Sequence, residues 1–207
     1  MQNSNSLKIK GKGKHNVTFT LNEGNFDMKN MFRGVENLIE VEMDSKKKCN
    51  ITSLEGTFEF CKDLNSFSIK GFDTTKVTSL KSLFSHTFLS NVKFDDFNTE
   101  NVLDTSYMFY STSIEKLDLT FMDTKNVLNM THMFCYCTIL TSLDISSFDT
   151  SKVKDMNHMF NHMENILSLD LSNFETENVK DMNYLFADCY KIEKILIPKF
   201  NTKNVLR

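Results

Sequence analysis

One thirteen-residue phrase is spelled five times in this chain, and that repetition restricts the fold more than any other feature. FDTSKVKDMNHMF (Phe148 to Phe160) returns as FETENVKDMNYLF (Phe174 to Phe186) and MDTKNVLNMTHMF (Met122 to Phe134). It returns again as FNTENVLDTSYMF (Phe97 to Phe109) and FDTTKVTSLKSLF (Phe72 to Phe84). The closing phenylalanines fall at Phe32, Phe58, Phe84, Phe109, Phe134, Phe160 and Phe186, in steps of 26, 26, 25, 25, 26 and 26. An eighth unit opens at Phe200. A fixed period of this size means units that cannot bury an apolar face alone and do so by stacking. The skewed composition, 19 Phe and 12 Met with no Trp and a single Pro, fits one local solution used repeatedly. The chain is a solenoid.

The two short steps locate a deletion. The phrase itself is constant, so the missing residue lies between Phe84 and Phe97 and between Phe109 and Met122. A surface connection tolerates that loss and a packed element does not. Two periodicities share each unit. Leu143-Asp144-Ile145-Ser146 and Leu169-Asp170-Leu171-Ser172 alternate apolar and polar, as half-buried strands do. Equivalent stretches are Phe67 to Lys70, Val92 to Asp95, Leu117 to Thr120 and Ile195 to Pro198. After each strand, apolar residues recur at i, i+3, i+6 and i+7 (Val153, Met156, Met159, Phe160), which predicts a helix of about two turns, in part 3₁₀. Thr150 or Ser151 and Thr176 stand where its N-cap belongs.

The expected fold is therefore an α/β repeat, a leucine-rich-repeat-like solenoid. A parallel strand ladder at roughly 4.8 Å spacing lines the concave side. Short helices, about 10 Å wide, spread on the convex side. Residues 1–25 read as an N-terminal β cap (strand Leu7 to Lys10, turn Gly11 to Lys14, strand Val17 to Leu21). Residues 26–207 form seven 25–26-residue repeats plus a truncated eighth, which leaves the C-terminal edge without a visible polar cap.

At Leu169 to Cys189, LDLSNFETENVKDMNYLFADC resembles the BspA-like leucine-rich repeat, also called the Mycoplasma-lipoprotein-type repeat. The likeness covers roughly residues 26–207 and is most specific in the last four copies. Several copies lack the glycine that precedes this cysteine, and Thr87, Thr112 and Met163 replace the cysteine itself. The resemblance implies a surface or secreted protein engaged in adhesion and binding.

Charge excludes other classes. Against 27 Asp+Glu stand 24 Lys+Arg, a net charge of −3, so nothing general attracts nucleic acid or an anionic membrane. No apolar run reaches the length of a membrane span, and the first ten residues lack a signal-peptide core, so no direct membrane insertion is expected. No nucleophile–base pair or phosphate-cradling loop is present, so the reading is of a non-enzyme without a cofactor. Cys61, Cys137 and Cys189 share one repeat position and lie too far apart to be bridged, as buried free thiols would. They do not fix the compartment. The sequons at Asn16, Asn50 and Asn129 matter only in a eukaryotic secretory protein.

Two surfaces remain as candidates. The concave face would carry Ser68, Lys70, Lys93 and Asp95, then Asp118, Asp144 and Asp170, three stacked carboxylates that suit a basic protein partner. The convex face would carry His132 and His158 in one column with Tyr107 and Tyr184. A helix running on would bring His162 alongside His158 as a weak candidate metal pair. The functional expectation is a non-catalytic protein-binding module of an extracellular or cell-surface, adhesin-like protein. The alternative is a structural or scaffold subunit that docks edge to edge through its C-terminal repeat.

Overall fold

The computed structural model describes residues 15–19 and 24–206, and there every unit makes one coil of a parallel β-solenoid. The strands are β1 (His15–Phe19), β2 (Gly24–Asp27), β3 (Leu38–Ser53), β4 (Ser66–Asp73) and β5 (Asn91–Phe94). They continue as β6 (Lys116–Asp118), β7 (Ser142–Asp144), β8 (Ser168–Asp170) and β9 (Lys194–Leu196). All pairs are parallel. β1 and β2 pair with successive parts of β3, which pairs in turn with β4, and β4 with β5. Beyond β5 the pairing is interrupted twice, leaving β6 with β7 and β8 with β9. The expected strand Leu7 to Lys10 and the turn Gly11 to Lys14 lie outside the described residues.

The helix expectation fails. Among the described residues no helix forms. The segment after each strand is a run of overlapping turns. In the fifth unit the amides of Met133, Cys135 and Cys137 donate to the carbonyls three residues back, at 3.2 Å each. The alternate amides of Met130, His132, Phe134 and Tyr136 donate instead to the next coil, to the carbonyls of Asp155, Asn157, Met159 and Asn161 at 2.9–3.0 Å. A helix would direct all these amides along its own axis and leave the neighbouring coil unbonded. The turn run divides them, so both faces of the coil are hydrogen-bonded at strand spacing. That removes the wedge of wide helices on which the concave and convex sides depended; the two sides are called the strand face and the turn face below.

The apolar stripe that imitated a helix is real but is the inward side of the turn run. Val153, Met156, Met159 and Phe160 are each 0 % exposed. The seven closing phenylalanines stack from coil to coil with ring centroids 5.5–6.0 Å apart. Such pairs contribute about 0.5–1.5 kcal/mol each beyond the area they bury. Met31, the first coil's counterpart of Met159, is instead 48 % exposed.

The supposed N-caps do different work. The Thr150 hydroxyl donates to the carbonyl of Glu175 at 2.9 Å and accepts from the amide of the same residue at 2.8 Å, fastening one coil to the next. Thr74, Thr99, Thr124 and Thr176 repeat that staple. The turn run also requires two left-handed residues per coil, two before and two after the closing Phe. His132 and Tyr136 (φ 56° and 60°) and His158 and His162 (φ 54° each) show the pattern. His132 and Tyr136 are the third residues of the turns closed by Met133 and Cys137, the place at which a type II turn needs φ > 0.

Candidate functional site

The strands end where the Asx side chains turn the chain. The carboxylate of Asp118 accepts from the amide and hydroxyl of Thr120 at 2.9 and 2.7 Å, so β6 stops there and does not run on to Thr120 as expected. Asp144 does the same with Ser146 at 3.1 and 2.7 Å, and Asp170 accepts from the Ser172 amide at 3.0 Å. In each case these bonds use one carboxylate oxygen, and the residue is exposed. The Thr120 and Ser172 donors hold the carboxyls of Asp118 and Asp170 below the usual aspartate range, so both stay ionised.

The strand-face residues fall into separate groups. Ser68 on β4 pairs in register with Lys93 on β5, and with Lys70 and Asp95 they border a shallow depression of ≈ 290 Å³ that also holds Glu40 and Glu42. That part is mixed in charge. Asp118 lies directly opposite Asp144 across β6 and β7. Asp170, on β8 beyond the second interruption, is opposite Leu196 on β9. The single row of seven positions is therefore an N-terminal patch of mixed charge followed by three carboxylates.

The turn face holds a larger aromatic assembly than expected. Tyr107, His132, His158 and Tyr184 form one stack with centroids 4.6, 4.5 and 4.7 Å apart. A second column pairs Phe60 with His86 at 4.6 Å and Tyr136 with His162 at 4.3 Å. Tyr110 joins the two, edge-on to His86 and to Tyr136. His158 and His162 belong to different columns because no helix aligns them. His132 and His158 meet face to face, which sets their ring nitrogens side by side rather than converging on one point. His162 Nε2 faces Asp188 at 3.2 Å. Among the described residues no group of three His, Cys, Asp or Glu could hold a metal ion. Burial lowers the pKa of His86, helped by Lys62, and that of His132, helped by His158 and opposed by Asp155.

None of the five cysteines is in a disulfide, and all are buried. Cys61, Cys137 and Cys189 each point the thiol at the carbonyl of a closing Phe one coil back (Phe32, Phe109, Phe160). In the two short coils Thr87 and Thr112 take that position and bond to their own coil's Phe84 and Phe109. Burial raises the thiols of Cys61 and Cys137 to about 11 and that of Cys135 to about 12, which leaves them protonated and unreactive.

A family model described as "Mycoplasma protein of unknown function, DUF285" matches residues 26–138 and again residues 112–207. The chain belongs to this Mycoplasma-type repeat family. The two matches overlap inside the array, as successive registers of one repeat do. No curated protein and no solved structure matches the chain. Among the described residues of this DUF285 member, no helix is long and apolar enough to cross a membrane.

Sequence reasoning missed three features of the site region: the threonine staple, the paired left-handed columns, and a cleft beside Phe94 and Phe121. The last had a visible signal. Just before the opening apolar residue of the unit, the later copies carry Ser147, Asn173 and Lys199, and Phe121 departs from them.

Proposed function

We propose that this DUF285 chain is a non-catalytic protein-binding module that offers its strand face to a basic protein segment. What supports the reading best is the state of Asp118, Asp144 and Asp170. Each is fixed by its own corner, exposed, and left with one carboxylate oxygen that the corner does not use. A row of fixed like charges is relieved by an opposite charge laid along it. The likeness to BspA-like repeats adds an associational argument for an adhesin-like role at the cell surface or outside the cell.

The test uses the geometry of the corners. Asn98, Asn129 and Asn201 already accept the same bond from the amide two residues on. Replacing Asp118, Asp144 and Asp170 together with Asn therefore removes charge and keeps the corners. Titration with a lysine-rich peptide should show binding that weakens as salt approaches about 0.15 M and is lost in the triple variant. Unchanged binding by a folded triple variant would overturn the reading.

A scaffold that docks through its C-terminal edge is the second reading. It is favoured by Tyr190 and Ile197, large side chains exposed in the last coil. Concentration-dependent self-association abolished by Ile197→Lys would support it.

A further inference from the structure

The solenoid meets its strand interruptions in two different ways. At the break between β7 and β8 an asparagine spans the gap. Asn173 Nδ2 donates back to the carbonyls of Ile145 and Phe148 at 3.1 and 2.6 Å. One coil pair earlier, between β6 and β7, the Ser147 hydroxyl reaches Leu119 and Met122 in the same manner, at 3.3 Å each. At the break between β5 and β6 the same column holds Phe121. A phenyl ring cannot donate such a bond; it stacks on Phe94 at 4.6 Å and is 36 % exposed.

The corner beside this ring is also irregular. Asp96 turns there with φ 60°. The result is a cleft of ≈ 460 Å³ lined by Phe94, Phe97 and Phe121 with Asp96, Glu100 and Asp123. A second depression of ≈ 410 Å³, bordered by Phe72 and Asp73, shares Asp96 and Asn98 with it. The two form one groove across three coils, with phenyl rings in its wall and carboxylates along it.

The charge is partly committed. Asp123 holds Lys125 at 2.7 Å and accepts from the Lys125 amide, and Asp73 accepts from Thr75. Asp96 and Glu100 make no side-chain hydrogen bond or ion pair among the described residues. Glu100 acts on Lys125 only through space. Two uncommitted carboxylates beside exposed ring surface are what a guanidinium or ammonium group recognises, by charge and by its contact with π electrons.

We infer that this groove at the β5–β6 break is a docking site for a peptide segment carrying an arginine or lysine side chain, seated against Phe121 between Asp96 and Glu100. The site is separate from the Asp118, Asp144 and Asp170 row, and either can be lost without the other. An arginine-rich pentapeptide, Arg-Gly-Arg-Gly-Arg, titrated into ¹⁵N-labelled protein should shift amides of residues 94–100 and 121–123. Phe121→Ser, the residue the next copy uses in this column, should weaken that binding by at least about tenfold, as should Asp96→Asn with Glu100→Gln. Both variants suit the local backbone, since serine already occupies this column at Ser147 and asparagine tolerates a positive φ. The triple Asn variant of the strand-face row should leave these shifts in place. Shifts confined to the strand-face row, or shifts at the groove that survive both groove variants, overturn the assignment.

Discussion

The first coils and the last coils reach the same cross-coil bonding by different means. β3 runs for 16 residues and pairs with β4 at Glu40 to Asp44 and again at Cys49 and Asn50. There the backbone ladder holds the coils together and few side chains are prescribed. β7, β8 and β9 are three residues each, and what the strands do not supply must come from fixed side chains. Thr124, Thr150 and Thr176 bond to both backbone groups of one residue in the next coil. Asn126, Asn178 and Asn204 reach back to carbonyls of the preceding coil. Long strands leave the sequence free to drift; short strands oblige it to repeat. That is why the repeat is plainest in the last four copies.

The core should not distinguish the two halves. Met156 and Leu54 occupy the same repeat position, and both are 0 % exposed. Met156→Asp and Leu54→Asp should each cost several kcal/mol, on the order of 4 or more, because an unpaired carboxylate is buried in the Phe and Met stack. Lys154→Asp, at an exposed position, should be near neutral. Urea midpoints compare all three. Equal tolerance of Met156→Asp and Lys154→Asp would refute the inward register of the turn run.

The staples should separate the halves. Thr124→Val keeps the shape and removes both part-buried bonds to the backbone of Asp149, leaving two backbone groups without that partner, at about 1–3 kcal/mol. Thr52→Val in the first coils loses one part-buried bond to Phe26 beside an intact ladder and should cost about 1 kcal/mol or less. If the two cost the same, the threonine column is not what replaces the missing strand length.

Much of this was legible in the sequence, and what was not has a physical cause. The period, the strand positions and the buried identity of Val153, Met156, Met159 and Phe160 followed from spacing alone, because burial alternates wherever a coil turns inward. Spacing of i, i+3, i+6 and i+7 reports only which side is buried. Whether an amide bonds three or four residues back or to the next coil is decided by stacking distance, which the local pattern does not encode. Left-handed residues were hidden for a related reason. Gly34 and Gly56 hold such positions in the first coils, where glycine would have announced them. His132, His158 and Tyr184 hold them later, where stacking between rings of successive coils offsets the backbone cost. The carboxylate row was readable as a row, but its corner bonds and its interruption were not. The groove depended on one residue, Phe121, breaking a polar column.

The smallest expected effect is a pH dependence of the turn face, and its sign follows from the two displaced histidines. His86 and His132 have pKa values below 6.5 in the fold, because burial disfavours the imidazolium and a neighbour, Lys62 or His158, repels it. An unfolded chain binds those protons first, so the stabilisation is complete above about 6.5 and is lost as pH falls from there through the folded values. The aspartates Asp118, Asp149 and Asp170 are displaced downward from 3.8 and weaken the fold only in more acidic solution. Between about pH 7 and about pH 5 the histidines therefore set the slope. An uncharged ring already stands at each matching left-handed position, Phe60 stacked on His86 at 4.6 Å and Tyr107 stacked on His132 at 4.6 Å, so His86→Phe and His132→Phe preserve the stacks without a titrating group. The urea midpoint of the native chain should fall modestly across that interval, and the double variant should flatten the fall. Because His86 lies on the coil before the β5–β6 break and His132 after it, the single variants compare the halves once more. Equal flattening by each means that the stack is insensitive to strand length. A slope that survives the double variant places its origin away from these two rings.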